Sequence, residues 1–353
     1  SSRPSDDSAD SSLGHFLSPP SFLGLPFFMP SLYQLSLSMK RLANLIATAV
    51  VWQVASSFAE EIPFKREKEI VYGRKHGLAM TLDVFQPLGK RNARGIVFAV
   101  SGGWFSAQKN IDSIAKRSNW IELIKRGYTL FAVVHGSQPK YTVPEIREDM
   151  HRAVRFIRYN AKTYGIDPER IGIFGGSAGG HLSLMQGTDG HDGDPKAKDP
   201  VEQQSSRVQA VVAYFPPTDF LNYGKEGQHF DKFIRNLLNG RNPYLAALDF
   251  HSYDGDQNWY ERITEEVKVH EKLREVAPVT HVSEGDAPTL IIHGDADKLV
   301  PIQQAHRIMP KFKAAGVEAK LLVMPGKDHG WKAEPAEVKT VGKWFDKHLL
   351  EAR

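Results

Sequence analysis

The chain of 353 residues has no cysteine. Disulfides, thiolate metal sites and thiol redox chemistry are therefore excluded. Charge of one sign is also scarce: 45 Lys and Arg against 41 Asp and Glu leave a formal net charge of +4, with no basic block. Nothing in that balance points to a nucleic-acid or polyanion partner. No G-x-x-x-x-G-K-[ST] or dinucleotide fingerprint occurs, so no nucleotide cofactor is implied. The acidic stretches HDGD (191 to 194) and DGDQ (254 to 257) lack the spacing of a calcium loop and read as solvated turns, leaving no metal site to assign. Neither an internal repeat nor a low-complexity tract follows residue 60.

Long apolar runs are equally rare. LANLIATAVVWQVA (42 to 55) is too short to span a bilayer, but it follows Met39-Lys40-Arg41 and precedes small residues at 57 and 59. A short basic region, an apolar stretch and a small-residue cleavage site are the grammar of a secretory signal peptide over 39–59. Residues 1–38, rich in Ser, Pro and Asp, then read as a non-native or disordered extension. The expectation is a secreted or periplasmic protein with no stable membrane insertion after cleavage. A retained anchor or a buried helix is the alternative.

What is present from residue 60 onward is a globular pattern, 41% hydrophobic and 24% charged over the whole chain. VYGRKHGLAMTLDVFQP reads as two strands around a turn at Lys75 to Gly77. GIVFAV, YTLFAVV, IGIFGG, VQAVVAYF, PTLIIHG and AKLLVM read as buried strands. Helical segments lie between most of them, including one from Val143 that stops at Gly165, with Pro144 in its first turn. Strands joined by helical crossovers imply an α/β fold: a doubly wound, mostly parallel sheet whose early strands are an antiparallel addition. The rhythm breaks over about 219–282, which is too long for a crossover and reads as a small helical insertion or cap within a catalytic domain of residues 60–353. In such sheets ligands sit beyond the carboxyl ends of the strands.

The loops at those ends carry a recognisable chemistry. Gly175-Gly176-Ser177-Ala178-Gly179 matches G-x-S-x-G between a strand and a helix, where a sharp turn needs small neighbours. A serine hydroxyl is a weak nucleophile until a base takes its proton and an acid orients the base. Asp297 in HGDADKLVP and His329 in PGKDHGW follow in the order Ser, Asp, His, each after a late strand. Asp295 is the main rival for the acid and Asp219 a more distant one; Asp295 is expected to brace its turn. Gly102 and Gly103, after the first long buried strand, and Ala178 are the candidate oxyanion donors.

Taken together, FGGSAGGHLS, LIIHGDADKLVP and PGKDHGW resemble the α/β-hydrolase superfamily over about residues 68 to 350. Within it the chain is similar to bacterial esterases grouped with hormone-sensitive-lipase-like and feruloyl or acetyl-xylan esterase-like proteins. That resemblance implies Ser177, Asp297 and His329 as catalytic residues. Relatives usually carry His-Gly-Gly at the oxyanion strand, whereas this chain has Ser101-Gly102-Gly103-Trp104-Phe105, which leaves open whether Gly103 or Trp104 donates. His135, where relatives often have a Tyr-Arg pair, either lines the substrate pocket or bonds a loop carbonyl. Trp104, Phe105, Tyr214, Phe215 and Trp331 flank the same loops as pocket or packing.

The expected function is an exported serine esterase acting through an acyl-enzyme on small-molecule or polysaccharide-linked esters. A peptidase or an amidase such as a formamidase on the same fold would use the same triad. The about 40 residues between the cleavage site and SGGWF are too few for the propeller that prolyl-oligopeptidase-type enzymes carry. A non-catalytic binding protein on this fold would be marked by a missing triad residue.

Overall fold

The computed structural model describes residues 64–256 and 258–351. The extension and signal-peptide readings of residues 1–59 lie outside the described residues. Eight strands form one sheet in the order β1-β2-β4-β3-β5-β6-β9-β10: β1 (Phe64–Lys75), β2 (Leu78–Pro87), β3 (Gly95–Ala99), β4 (Thr129–Val134), β5 (Ile171–Gly176), β6 (Ala210–Tyr214), β9 (Thr289–Gly294) and β10 (Ala319–Met324). β2 pairs antiparallel with both β1 and β4, and every pairing from β4 to β10 is parallel. The expected doubly wound, mostly parallel sheet is what the chain adopts.

The near-continuous apolar strands follow from burial on both faces. Along β3, Val97 and Ala99 enter one core with the helices Val143–Tyr159, Ala178–Thr188 and Gln303–Ala314, while Ile96 and Phe98 enter the other with Ser118–Lys125 and Pro335–Phe345. Period-two side chains therefore feed two helical layers from one short run. Trp120 anchors the second layer by edge contacts with Phe85 and Phe98.

The helix from Val143 begins with a capping box between Thr142 and Glu145, worth about 1 kcal/mol. It does not run unbroken to Gly165. Asn160 leaves helical geometry (φ −94°, ψ 15°) while its side-chain amide donates to the Phe156 carbonyl, so a separate turn, Ala161–Tyr164, precedes the left-handed Gly165. An asparagine that bonds back onto its own helix gives the backbone a competing partner there.

Between β6 and β9 lie the helix Phe230–Leu237, a 3₁₀ turn Leu245–Leu248, the helices Glu266–Glu275 and Pro278–His281, and a two-stranded hairpin. The hairpin, β7 (His251–Asp254) with β8 (Trp259–Arg262), has no counterpart in the sequence reading. Its strands are four residues long and almost wholly exposed on both faces, so no apolar alternation announces them. Among the described residues no helix is long and apolar enough to cross a membrane.

Candidate active site

Ser177 sits between β5 and the helix Ala178–Thr188 at φ 55°, ψ −122°, a strained conformation for a residue with a side chain. Its amide donates to the Tyr214 carbonyl at the end of β6 (2.9 Å), and its carbonyl accepts the His181 amide (2.9 Å). The small residues around it answer to close approach. A Cβ at Gly175 would lie 2.4 Å from the Gly179 carbonyl oxygen, one at Gly179 would lie 2.7 Å from that of Ala99, and one at Gly180 would lie 2.6 Å from that of Tyr214. The helix can press its first turn onto the sheet only without those side chains, and that turn aims its free amides towards the serine.

His329 and Asp297 come from the loops after β10 and β9, and both reach this turn. His329 Nε2 is 3.0 Å from Ser177 Oγ, and its Nδ1 is 2.8 Å from Asp297 Oδ2. Asp297 is nearly buried; its other oxygen accepts the amides of Leu299 (3.0 Å) and Val300 (2.8 Å). Burial alone would push this carboxyl up, but His293, His329 and the Val300 amide bring it down to about 2. It is thus an anion that fixes the Nδ1–H tautomer and leaves the Nε2 lone pair facing the serine hydroxyl.

The rival acids have other work. Asp295 accepts the Gly326 amide (2.6 Å) and so ties the β9 loop to the β10 loop. Asp328 adds a second tie, accepting the amides of Lys298 (3.0 Å) and His329 (2.7 Å). Asp219 is bonded to Arg307 (2.8 Å) and Asn222.

The loop after β3 corrects one expected donor. Gly102 N–H is consumed by the Phe105 carbonyl (2.9 Å), and the Phe105 amide returns to Gly102 (3.0 Å), so Gly102 closes a turn and has no free amide. Gly103 (φ 56°) and Trp104 (φ 60°) are its central residues, both left-handed as in a type I′ turn. Among the described residues neither amide has an acceptor, which keeps both Gly103 and Trp104 as possible partners for Ala178.

The brace for this turn was hidden from the sequence reading. Trp104 Nε1–H donates to His181 Nδ1 (3.2 Å), and His181 Nε2–H donates to the Val276 carbonyl (2.7 Å). Both rings are buried, and burial holds the His181 imidazole down at about 4 in spite of the Val276 bond. Gln138 Nε2 adds a bond to the Gly103 carbonyl (2.5 Å). Ser101, at the histidine position of relatives, has a buried hydroxyl with no partner among the described residues. His181 lies inside FGGSAGGHLS, and a histidine directly after Ala178, Gly179 and Gly180 on a buried helix was the one available signal.

Of the expected pocket residues, Tyr214 and Trp331 line a cleft of about 940 Å³ beside Ser177, together with Phe215. Trp104 lines a second, smaller and open pocket that also reaches Ser177. Phe105 and His135 line neither. The Phe105 side chain is half exposed at the turn's edge, and His135 is buried with Nδ1 on the Gly136 carbonyl (2.5 Å). That is the loop-carbonyl alternative, and it removes His135 from the pocket.

Several known proteins are similar to this chain in sequence or in fold. The model of the family described as BD-FAE matches residues 82–312. A probable carboxylic ester hydrolase, LipM, of Mycobacterium tuberculosis is 27% identical over 256 residues, covering 71% of this chain and 52% of that protein. This chain spans about half the length of the curated relatives it matches. A solved structure described as a truncated form of carbohydrate esterase from gut microbiota superposes with a TM-score of 0.66 at 25% identity, covering 83% of this chain and 99% of that one. An acetyl ester-xyloside bifunctional hydrolase from Caldicellulosiruptor lactoaceticus shares the fold with a TM-score of 0.60 at 24% identity, covering 82% and 98%. With the family match extending over well over half of its length, the chain belongs to the BD-FAE family of α/β-hydrolase-fold proteins.

Proposed function

We propose that the protein is a serine esterase that cleaves carboxylic esters through an acyl-enzyme. The observation that carries the reading is the continuous chain from Ser177 Oγ to His329 Nε2 (3.0 Å) and from His329 Nδ1 to Asp297 Oδ2 (2.8 Å), set at a strained strand-to-helix turn. Ser177 Oγ attacks the ester carbonyl as His329 Nε2 takes its proton. The imidazolium is stabilised by the Asp297 carboxylate. Negative charge develops on the former carbonyl oxygen, where the amides of Ala178 and of Gly103 or Trp104 donate. Collapse expels the alcohol, which receives the proton held on His329. Water then repeats the sequence on the acyl-enzyme, and the acid leaves.

The ester reading is favoured over peptide or amide cleavage by the similarity to proteins named as esterases. The pattern of Met39 to Ala59 extends the proposal to an exported enzyme, and export favours acyl groups on polysaccharides met outside the cytoplasm. The test is a panel of acetylated and feruloylated saccharides, simple p-nitrophenyl esters, anilides and peptides, run with the parent protein and with Ser177→Ala. Ester turnover that Ser177→Ala abolishes is expected. Faster cleavage of amides than of esters, or turnover that persists in the variant, contradicts the proposal. For the export arm, secreted protein should begin near Glu60.

A further inference from the structure

The charged groups around the large cleft at Ser177 are unevenly paired. Lys116, Arg117 and Lys332 line it, and among the described residues none of the three makes an ion pair. The single carboxylate on its lining, Glu337, is engaged elsewhere: its Oε2 accepts Trp331 Nε1–H (2.9 Å) and the Glu334 amide (3.3 Å). Three unpaired cations on the wall of a cleft hold a field that draws an anion in.

Two of those cations stand where the backbone makes them unfavourable. Arg117 is the N-cap of the helix Ser118–Lys125 (φ −72°, ψ 145°), a position that usually holds an oxygen-bearing side chain, and no side chain caps this helix. Among the described residues the amides of Ser118, Asn119 and Trp120 have no acceptor. Free N–H groups and the positive end of the helix dipole therefore sit beside Lys116 and Arg117, and an anionic ligand would relieve all of them together. Desolvation draws the Arg117 guanidinium below its usual value, and no carboxylate raises it again. Its side chain is still exposed, so a substrate can reach it.

A further unfilled donor agrees with this. Trp120 is 1% exposed and lines the same cleft, and its indole N–H has no acceptor among the described residues. Buried N–H groups are nearly always paired, and a ligand oxygen is the partner this one lacks.

The helix end is also tied to the nucleophile. Asn119 Nδ2 donates to Tyr214 Oη (2.7 Å), and the Tyr214 carbonyl accepts the Ser177 amide (2.9 Å). One tyrosine residue thus links the nucleophile turn to the cationic wall. Gly330 and Trp331, which follow His329, line the cleft as well. His329 protonates the leaving oxygen, so the half of the ester that enters this cleft is its alcohol.

We propose that Lys116, Arg117, Lys332 and the free amides at the start of the helix Ser118–Lys125 form an anion subsite, so that the preferred substrates are esters whose alcohol half carries a carboxylate or sulfate group. The proposal rests on the esterase reading for its chemistry, and it sets no limit on the acyl group.

The experiment compares kcat/KM for 4-acetoxybenzoate, 4-acetoxybenzenesulfonate and the neutral 4-acetoxybenzamide, each divided by its rate of hydrolysis in buffer. The proteins are the parent, Arg117→Gln, Lys332→Gln and the double variant, with thermal melts to show that each is folded. An anionic ester should exceed the amide by about tenfold in the parent, the scale of one charge-assisted hydrogen bond, and the better of the two identifies the anion as carboxylate or sulfate. Arg117→Gln should cut that ratio by about fivefold, the double variant should bring it near one, and about 0.5 M salt should shrink it in the parent. Lys313→Gln, which removes an exposed charge outside the cleft, should leave the ratio unchanged and so separates a local subsite from the general field of the protein. Equal use of the three esters by the parent overturns the proposal, as does a ratio that survives in the folded double variant. Absence of turnover on every ester would instead defeat the esterase reading itself. Titration calorimetry with 4-hydroxybenzoate and 4-hydroxybenzamide then still decides the subsite: tighter binding of the benzoate, lost in the double variant, supports it, and equal binding overturns it.

Discussion

Replacing Asp297 by asparagine changes one atom of the side chain and reverses the direction of a hydrogen bond. The Asp297 oxygen that accepts the Leu299 and Val300 amides (3.0 and 2.8 Å) holds the asparagine carbonyl in its place. The amide NH₂ then faces His329 Nδ1, which in the parent donates across 2.8 Å. Two donors cannot share that contact, so the imidazole moves its proton to Nε2, the nitrogen 3.0 Å from Ser177 Oγ. The serine faces an N–H and has no base. Loss of the tautomer is worth roughly 10³- to 10⁴-fold in kcat, or about 4 to 5.5 kcal/mol of transition-state stabilisation, with KM little changed. In Asp295→Asn the carbonyl oxygen still accepts the Gly326 amide, and only the charge assistance of a 2.6 Å bond is lost, which should cost less than about tenfold. Initial rates on p-nitrophenyl acetate for both variants decide the matter. Equal damage, or a larger loss in Asp295→Asn, refutes the assignment of the acid.

Trp104→Phe removes the indole donor to His181 Nδ1 while keeping a ring in the core, and kcat should fall by about three- to tenfold as the turn that carries the proposed oxyanion donors loses its brace; measured kcat and KM show whether the loss falls on the chemical step. Trp104→Ala deletes a buried side chain and should lower stability by about 3 to 5 kcal/mol in a urea titration. His135 and His181 are held neutral by burial with folded values of about 4 against 6.5 unfolded, so the unfolded chain binds more protons between those values. Stability should therefore fall as pH drops from 6.5 towards 4, by up to about 3 kcal/mol for each, and His135→Gln should flatten that dependence in pH-resolved thermal melts. Asp297 acts lower: its depressed carboxyl contributes about 2 kcal/mol that is present above pH 3.8 and lost as pH falls towards 2, and Asp297→Asn should remove that limb.

The sheet and the three loops that meet at Ser177 were legible because each left a local signal. A buried strand such as β5 is an apolar run ending in glycine, and the glycines around Ser177 record the approach of a helix to the sheet. That Asp297 and not Asp295 contacts His329 was legible from position in the loop, since the further residue turns back towards the histidine. Pairing among distant residues left no such trace. That Gly102 spends its amide on Phe105 depends on two left-handed residues between them, one of them a tryptophan, which sequence alone gives no reason to expect. The Trp104–His181–Val276 brace joins positions far apart in the chain, and Tyr244 reaches Gly103 from an insertion whose short exposed strands have no periodicity. His135 was ambiguous for a different reason: a histidine after a buried strand looks the same whether it faces a pocket or the next carbonyl.

The central claim is that Ser177 is the nucleophile, and covalent capture tests it most directly. The parent protein and Ser177→Ala would each be treated with a p-nitrophenyl phosphate triester, then measured by intact mass and peptide mapping alongside the release of p-nitrophenol. One phosphoryl adduct on Ser177, stoichiometric with the initial burst and absent from Ser177→Ala together with ester turnover, is the predicted result. An adduct on another residue, or undiminished ester hydrolysis by Ser177→Ala, would contradict the account.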